Sequence, residues 1–233
     1  MTTLELQQAR SRPVVQPVRS EGKLRAALLV CGILSSLLYA AMLVFVPMRW
    51  EGYSSVSQTV SELSAIGAPT RSLWAWPGAF YSLLVTLFGC GVLASAGRSR
   101  SRLLRVVGYS MIAYGVLGFF WPPMHLRGVE RTLTDTLHVV FTMAAVVLMM
   151  LAIGFGAAAF GRRFRLYSVA TMVVLVVFGA LAGMDGPRVA ANLPTLWVGV
   201  WERINIGIFL LWVVVLAVTL LRGTRGPTSA PAG

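Results

Sequence analysis

Apolar residues along this 233-residue chain fall into six long runs separated by short polar segments. The runs cover residues 26–46, 76–96, 106–121, 135–160, 166–183 and 203–221. The length of each run is close to the about 20 residues that an α-helix needs to cross the hydrocarbon core of a bilayer. Backbone polar groups cannot stay unpaired in lipid, and the runs lack the period-two polarity of barrel strands. The pattern therefore predicts an all-α fold, a polytopic integral membrane bundle with six transmembrane helices.

Composition supports a membrane protein. Hydrophobic residues make up 57% of the chain and charged residues 12%, with a mean hydropathy of +0.75. A soluble domain is usually about 25% charged. Because so few charges are available to cover a water-facing surface, we expect most of the chain to lie in lipid.

Basic residues are concentrated on one side of the predicted membrane. The N-terminal segment, the second-to-third and fourth-to-fifth connections and the C-terminal segment hold most of the arginines. The other three connections balance six arginines with six acidic residues. Since basic loops stay in the cytoplasm, we predict cytoplasmic termini, an extracytoplasmic loop Tyr53–Trp74 and location in the cytoplasmic membrane.

The net charge of +12 also bears on partners. It fits contact with anionic lipid head groups, so membrane lipids are the expected partners. A nucleic-acid partner is not expected, because the arginines are divided among short loops and tails with no basic domain to hold them. The oligomeric state is left open.

The domain organisation follows from these boundaries. Residues 1–25 are predicted to form a basic, disordered cytoplasmic tail, residues 26–222 the six-helix transmembrane domain, and residues 223–233 a second disordered tail. Within the first outer loop, apolar residues recur at helical spacing near residues 55–66. Ser55 and Gln58 resemble a capping box at its start. This segment is predicted to be an amphipathic helix that lies on the membrane interface or folds over the bundle as a lid.

Two segments resemble a known family. The stretch Tyr53–Trp74 reads YSSVSQTVSELSAIGAPTRSLW, and Trp201–Trp212 reads WERINIGIFLLW. Both are similar to elements of bacterial membrane proteins grouped as domain-of-unknown-function family 998, and the spacing of the six runs is also similar. The resemblance implies a six-helix bundle with the first loop outside. It implies no catalytic residues.

Polar residues on the outer side are the candidates for a site. The ligand or polar-network candidates are Ser61, Glu62, Asp185, Glu202, Arg203 and Asn205. We predict that the first loop folds onto the mouth of the bundle and that Glu62 contacts a basic residue there, with Arg203 as the expected partner. Acidic residues at helix N-termini are also favoured by the helix dipole, so helix capping is the alternative interpretation for Glu202.

A metal site is the other candidate. Asp135 and His138 are three residues apart at the start of the fourth helix and share a face, and His125 precedes them in the outer loop. Two imidazoles and a carboxylate could hold zinc with an open position for water. The alternative is that Asp135 caps its helix together with Thr132. We expect no cofactor, with zinc as the alternative.

These residues leave three functions open. We favour a non-enzymatic multi-pass membrane protein whose polar outer mouth binds a lipid head group, a small ligand or a partner. The first alternative is a membrane-embedded, metal-dependent hydrolase that uses His125, Asp135 and His138. The second is a passive carrier of a neutral or lipidic molecule. Ion-coupled transport is disfavoured because no Asp, Glu, Lys, Arg or His lies near the middle of a predicted span.

Overall fold

In the part of the chain that the structure describes, the fold consists of six long α-helices and one short helix. The computed structural model describes residues 17–223. The helices are α1 (Pro17–Phe45), α2 (Arg71–Ser99), α3 (Arg102–Phe119), α4 (Leu133–Ala159), α5 (Arg162–Met184), α6 (Gly186–Ala190) and α7 (Val198–Arg222). Two 3-10 helices, Pro47–Arg49 and Val60–Ser64, lie between α1 and α2. The all-α prediction is confirmed.

The six long helices form a closed ring. Each packs against the next along the chain, α5 packs against α7, and α7 packs against α1. The long connections 46–70, 120–132 and 185–197 meet at one end of the ring, which we call the loop end. The short turns 100–101 and 160–161 lie at the opposite end, together with Pro17 and Arg222. The fold therefore separates two ends with different chemistry.

Glycines allow α2 and α3 to approach closely. A Cβ on Gly89 would lie 2.7 Å from the backbone nitrogen of Ile112, and a Cβ on Gly115 would lie 2.7 Å from that of Thr86. Small residues are favoured where helices meet in lipid for this reason. The contact holds α3, the shortest of the six, firmly against its neighbour.

A central apolar cluster joins the ring. Trp212, Phe88, Phe209 and Met111 are fully buried within it. The indole of Trp212 donates a hydrogen bond of 3.0 Å to the hydroxyl of Ser168, so its polar edge is satisfied away from water. On the outer surface, by contrast, large side chains such as Leu37, Val139 and Val176 are more than half exposed.

Within residues 17–223, five segments are long and apolar enough to cross a membrane. They are Ser20–Arg49, Arg71–Ser99, Leu133–Ala159, Arg162–Ala190 and Val198–Arg222. An apolar outer surface of this kind is favourable in lipid, and the chain is a polytopic membrane protein. The helix α3, which has 18 residues and begins at Arg102, is not among the five.

The structure corrects one predicted boundary. The helix α1 begins at Pro17, so residues 17–25 are helical rather than part of a disordered tail. The remainder of that predicted tail, residues 1–16, lies outside the described residues, as do residues 224–233 of the second.

The prediction of an amphipathic helix near residues 55–66 is also wrong. Only Val60–Ser64 is helical, in the 3-10 form, and its capping box consists of Thr59 and Glu62 rather than Ser55 and Gln58. An α-helix would need the carbonyl groups of residues 55–58 for its own hydrogen bonds. In the structure these carbonyls accept hydrogen bonds from other elements instead. Tertiary contacts therefore replace the helix.

Candidate functional site

Glu62 is the most deeply buried acidic residue at the loop end, with 1% of its surface exposed. Its carboxylate accepts hydrogen bonds from the backbone nitrogen of Thr59 at 2.7 Å, the hydroxyl of Thr59 at 3.0 Å and the amide of Gln58 at 3.3 Å. The guanidinium of Arg127 completes the set, with Nε 2.9 Å from Oε1 and Nη2 3.1 Å from Oε2. A buried carboxylate needs such partners to offset its desolvation.

Arg127 links all three long connections. It lies in the second connection and pairs with Glu62 in the first. Its Nη2 also donates to the carbonyl oxygen of Ser57 at 3.0 Å, and its Nη1 donates to Thr195 Oγ1 at 3.0 Å in the third connection. The hydroxyl of Thr195 in turn donates to the same Ser57 carbonyl at 2.6 Å. One planar side chain with several donors thus holds the loop end together.

Arg203 has a different role from the one predicted. Its guanidinium does not pair with Glu62 but donates to the carbonyl oxygens of Ser55 at 2.9 Å and Gly199 at 3.0 Å, and to the hydroxyl of Tyr53 at 2.9 Å. The predicted Glu62–Arg203 contact is therefore wrong. Arg203 instead holds the backbone of the first connection against the start of α7.

Tyr53 connects this arginine to the 3-10 helix. Its hydroxyl donates a hydrogen bond of 2.8 Å to the carbonyl oxygen of Thr59. Burial raises the pKa of Tyr53 to about 12, although the hydrogen bond from Arg203 acts in the opposite direction. The phenol is therefore neutral at physiological pH and remains a donor to Thr59.

The start of α7 makes close contacts with the first connection. Glu202 accepts a hydrogen bond of 2.6 Å from the backbone nitrogen of Val60, and its carboxyl group lies beside the hydroxyl of Ser61. The backbone nitrogen of Gly199 donates to the carbonyl oxygen of Val56 at 3.0 Å. A Cβ on Gly199 would collide with the carbonyl oxygens of Ser55 and Gln58. Only glycine fits at this position without displacing the loop.

His125 and Asp135 form a pair at the start of α4. His125 Nδ1 lies 2.8 Å from Asp135 Oδ2, and the backbone nitrogen of His125 donates to Oδ1 at 2.7 Å. Because an ionised carboxylate only accepts, Nδ1 carries the proton. The backbone nitrogen of Thr132 also donates to Oδ2 at 2.9 Å, in the capping box that the sequence suggested as the alternative. Asp135 thus begins the helix and anchors the second connection.

His138 lies apart from that pair. It is buried, with 6% of its surface exposed, and its ring contacts Ser61 and Pro122 rather than His125. Among residues 17–223, no three His, Cys, Asp or Glu side chains come together in a way that could hold a metal ion. The three residues of the zinc alternative therefore divide into two separate hydrogen-bonded groups.

Two further candidates lie at the edge of this network. Asn205 donates from Nδ2 to the carbonyl oxygen of Leu175 at 2.8 Å, which ties α7 to α5. Asp185 lies 4.0 Å from the guanidinium of Arg188 across the start of α6. Neither takes part in the contacts of Arg127.

Asp185 lines a cleft at the loop end. The cleft has a volume of about 260 Å³, and its lining consists of Asp185, Arg188, Leu196, Trp197 and Trp201. The two indole rings lie 6.2 Å apart between centroids, with an interplanar angle of 39°. The cleft is open to the surface and combines both signs of charge with aromatic faces, so it can receive a small polar group attached to an apolar chain.

The family described as "Protein of unknown function (DUF998)" matches residues 33–219. The chain belongs to the DUF998 family. The match covers most of the chain and contains every residue of the network and the cleft. The membership that the sequence resemblance indicated is therefore confirmed, whereas no curated protein and no solved structure matches the chain.

Sequence reasoning missed several residues that organise this DUF998 site. Arg127 was counted only as a basic residue of an outer loop, and Gly199, Thr59 and Arg188 were not considered. The motif Thr-x-x-Glu at Thr59–Glu62 was a readable signal, since it is a capping box. The partners of Arg127 lie 65 to 70 residues away along the chain and leave no local pattern.

Proposed function

We propose that this protein crosses the cytoplasmic membrane six times, with the loop end outside and both termini in the cytoplasm. The distribution of charged residues supports this orientation. Acidic and basic residues are balanced at the loop end, whereas arginines of the turns 100–101 and 160–161 and their flanks dominate the opposite end, as the positive-inside rule requires. The helix α3 supplies the sixth span because it runs between α2 and α4 from one end of the ring to the other.

At the outer face, the protein binds the head group of a zwitterionic phospholipid. The observation that carries this proposal is the cleft of about 260 Å³ between α6 and the start of α7. It is smaller than the about 300–1,000 Å³ of pockets that enclose drug-sized ligands. A head group fits such a volume while its acyl chains remain in the membrane.

The charges of the cleft match an ethanolamine head group. Arg188 is 54% exposed, and Pro194 fixes the direction of its guanidinium by accepting a hydrogen bond of 3.0 Å from Nε. A guanidinium in this position suits a phosphate. Asp185, which is 22% exposed, suits the ammonium group, and the indole faces of Trp197 and Trp201 attract the same cation. The contacts favour binding over metal-dependent catalysis.

Thermal unfolding in detergent tests the binding proposal. Added phosphatidylethanolamine should raise the Tm of the wild-type protein by several degrees, because a ligand that binds only the folded state stabilises it. Asp185→Asn and Arg188→Gln should each abolish most of that increase. The matched controls are Glu51→Gln and Arg49→Gln, which neutralise exposed charges of the first connection. An equal increase in all variants, or none in the wild type, would refute the head-group site.

A further inference from the structure

We propose that Ser61 and His138 form a nucleophile and general-base pair that attacks ester bonds of membrane lipids. His138 Nε2 lies 3.1 Å from the hydroxyl oxygen of Ser61, and His138 Nδ1 lies 2.7 Å from the carbonyl oxygen of Pro122. A nucleophile within hydrogen-bonding reach of a base, with the base oriented by a third group, is the arrangement that activates a serine. This activity goes beyond head-group binding and uses none of the cleft residues.

The carbonyl of Pro122 determines which nitrogen of His138 is the base. Nδ1 lies 2.7 Å from the carbonyl oxygen of Pro122, which only accepts hydrogen bonds, and 3.2 Å from the indole Nε1 of Trp121, which only donates. The contact with Pro122 is the shorter one, and on that ground we assign the proton to Nδ1, which donates a hydrogen bond to Pro122. The lone pair of Nε2 then faces Ser61, whose one hydroxyl proton can be donated to Nε2 or to the neighbouring carboxyl group of Glu202. The indole of Trp121 lies edge-on to the imidazole, at 5.6 Å and 90°, and limits rotation of the ring. Pro122 and Trp121 are therefore positioning residues.

The two chain neighbours of Ser61 are also held in place by contacts with other elements. On one side of Ser61, Val60 is bound through its backbone nitrogen to Glu202. On the other side, Glu62 is buried and paired with Arg127. Ser61 itself remains partly exposed between them, whereas His138 is buried. Substrate and water would therefore reach the pair from the side of Ser61.

The depth of the Ser61–His138 pair in the membrane indicates the class of substrate. His138 lies five residues after Leu133, the first residue of α4, and therefore about 7 Å inside the end of that helix. Glu202, beside Ser61, lies a similar distance inside α7. The polar region of a bilayer extends about 5–8 Å beyond each face of its hydrocarbon core. A residue at this depth in a spanning helix lies near the level of the carboxylic esters of glycerolipids.

The reaction needs only the lipid ester and water. The Ser61 oxygen attacks the ester carbonyl carbon while its proton passes to His138 Nε2. The bond between that carbon and the alcohol oxygen then breaks, and the alcohol leaves with the proton from His138. Water, deprotonated by His138, attacks the acyl-serine, and the fatty acid is released as Ser61 regains its proton.

A fluorophosphonate carrying a long alkyl chain and a biotin tests the pair directly. The full-length protein is reconstituted in phospholipid vesicles and exposed to the probe. Ser61 displaces fluoride from phosphorus and forms a Ser–O–P bond, and the released proton passes through His138. Mass spectrometry of the peptide that contains Ser61 identifies the label without any variant.

We expect one label per chain on Ser61 in the wild type. Ser61→Ala should abolish labelling, and His138→Gln should slow it at least about 100-fold, since general bases contribute about 10²–10⁴-fold. The controls Ser64→Ala, in the same 3-10 helix, and His125→Gln should label as the wild type does. Absence of label on Ser61 in the folded wild type, or an unchanged rate in His138→Gln, would overturn the proposal. Neither outcome would affect the head-group experiment.

Discussion

At the scale of single residues, Arg127 has the largest expected effect on stability. It is the sole described cation that pairs with the buried Glu62 at salt-bridge distance, and it also contacts the first and third connections. Removing one partner of a buried ion pair leaves an uncompensated charge, which costs more than removing both. The energetics of this pair therefore differ from those of the exposed Asp185–Arg188 contact.

A double-mutant cycle measures this difference. Arg127→Gln should destabilise the protein by about 3–5 kcal/mol because the Glu62 carboxylate stays buried without its cation. Glu62→Gln combined with Arg127→Gln should lose less than the sum of the two single changes. Thermal unfolding in detergent provides the values. For comparison, Arg203→Gln should couple more weakly with Glu62→Gln than Arg127→Gln does, because Arg203 reaches Glu62 only through the shared neighbour Gln58. Stronger coupling with Arg203 would restore the partner predicted from the sequence.

At the scale of elements, the backbone conformation of the first connection depends on hydrogen bonds from other elements. Its carbonyl groups accept hydrogen bonds from Arg203, Arg127 and the backbone of Gly199. These contacts need a very close approach between the loop and the first turn of α7. Glycine at position 199 makes that approach possible.

Gly199→Ala should therefore detach the loop. Its Cβ would meet backbone oxygens of the first connection, which cannot move aside as a flexible side chain can. We expect destabilisation of about 1–3 kcal/mol and faster proteolysis within residues 53–59. Gly207→Ala is the matched control in the same helix, since nothing lies within 4 Å of its Cβ position. Equal stability and equal proteolysis of the two variants would contradict this packing.

The same segment shows what sequence patterns can and cannot predict. Apolar runs identify helices in lipid because each helix satisfies its own backbone, and α2, α4, α5 and α7 each contain their predicted run almost completely. The helix predicted near residues 55–66 was wrong because its backbone bonds to distant residues. His138 was grouped with Asp135 because both lie on one helix, whereas the actual partner, Ser61, lies 77 residues away.

At the scale of the whole molecule, the ring of six helices separates an arginine-rich end from a hydrogen-bonded loop end. The head-group cleft and the Ser61–His138 pair both lie at the loop end. Their proposed lipid partners are those of the outer leaflet only if that end faces outward. The orientation, and with it the crossing of α3, is therefore the proposal on which the others depend.

Cysteine accessibility in intact cells measures that orientation. In a background with Cys31→Ala and Cys90→Ala, single cysteines replace Glu51, Val129 or Ser99, which are exposed in the first connection, the second connection and the last turn of α2. A membrane-impermeant maleimide then reports the side on which each one lies. Ser99 precedes α3 and Val129 follows it, so this pair of positions reports whether α3 crosses the membrane.

The proposed topology predicts labelling of Glu51→Cys and Val129→Cys in intact cells, and of Ser99→Cys only after the membrane is permeabilised. Labelling of Ser99→Cys from outside would reverse the orientation. Labelling of Val129→Cys only after permeabilisation would show that α3 does not cross the membrane, and would contradict the six-span protein with an outward-facing loop end.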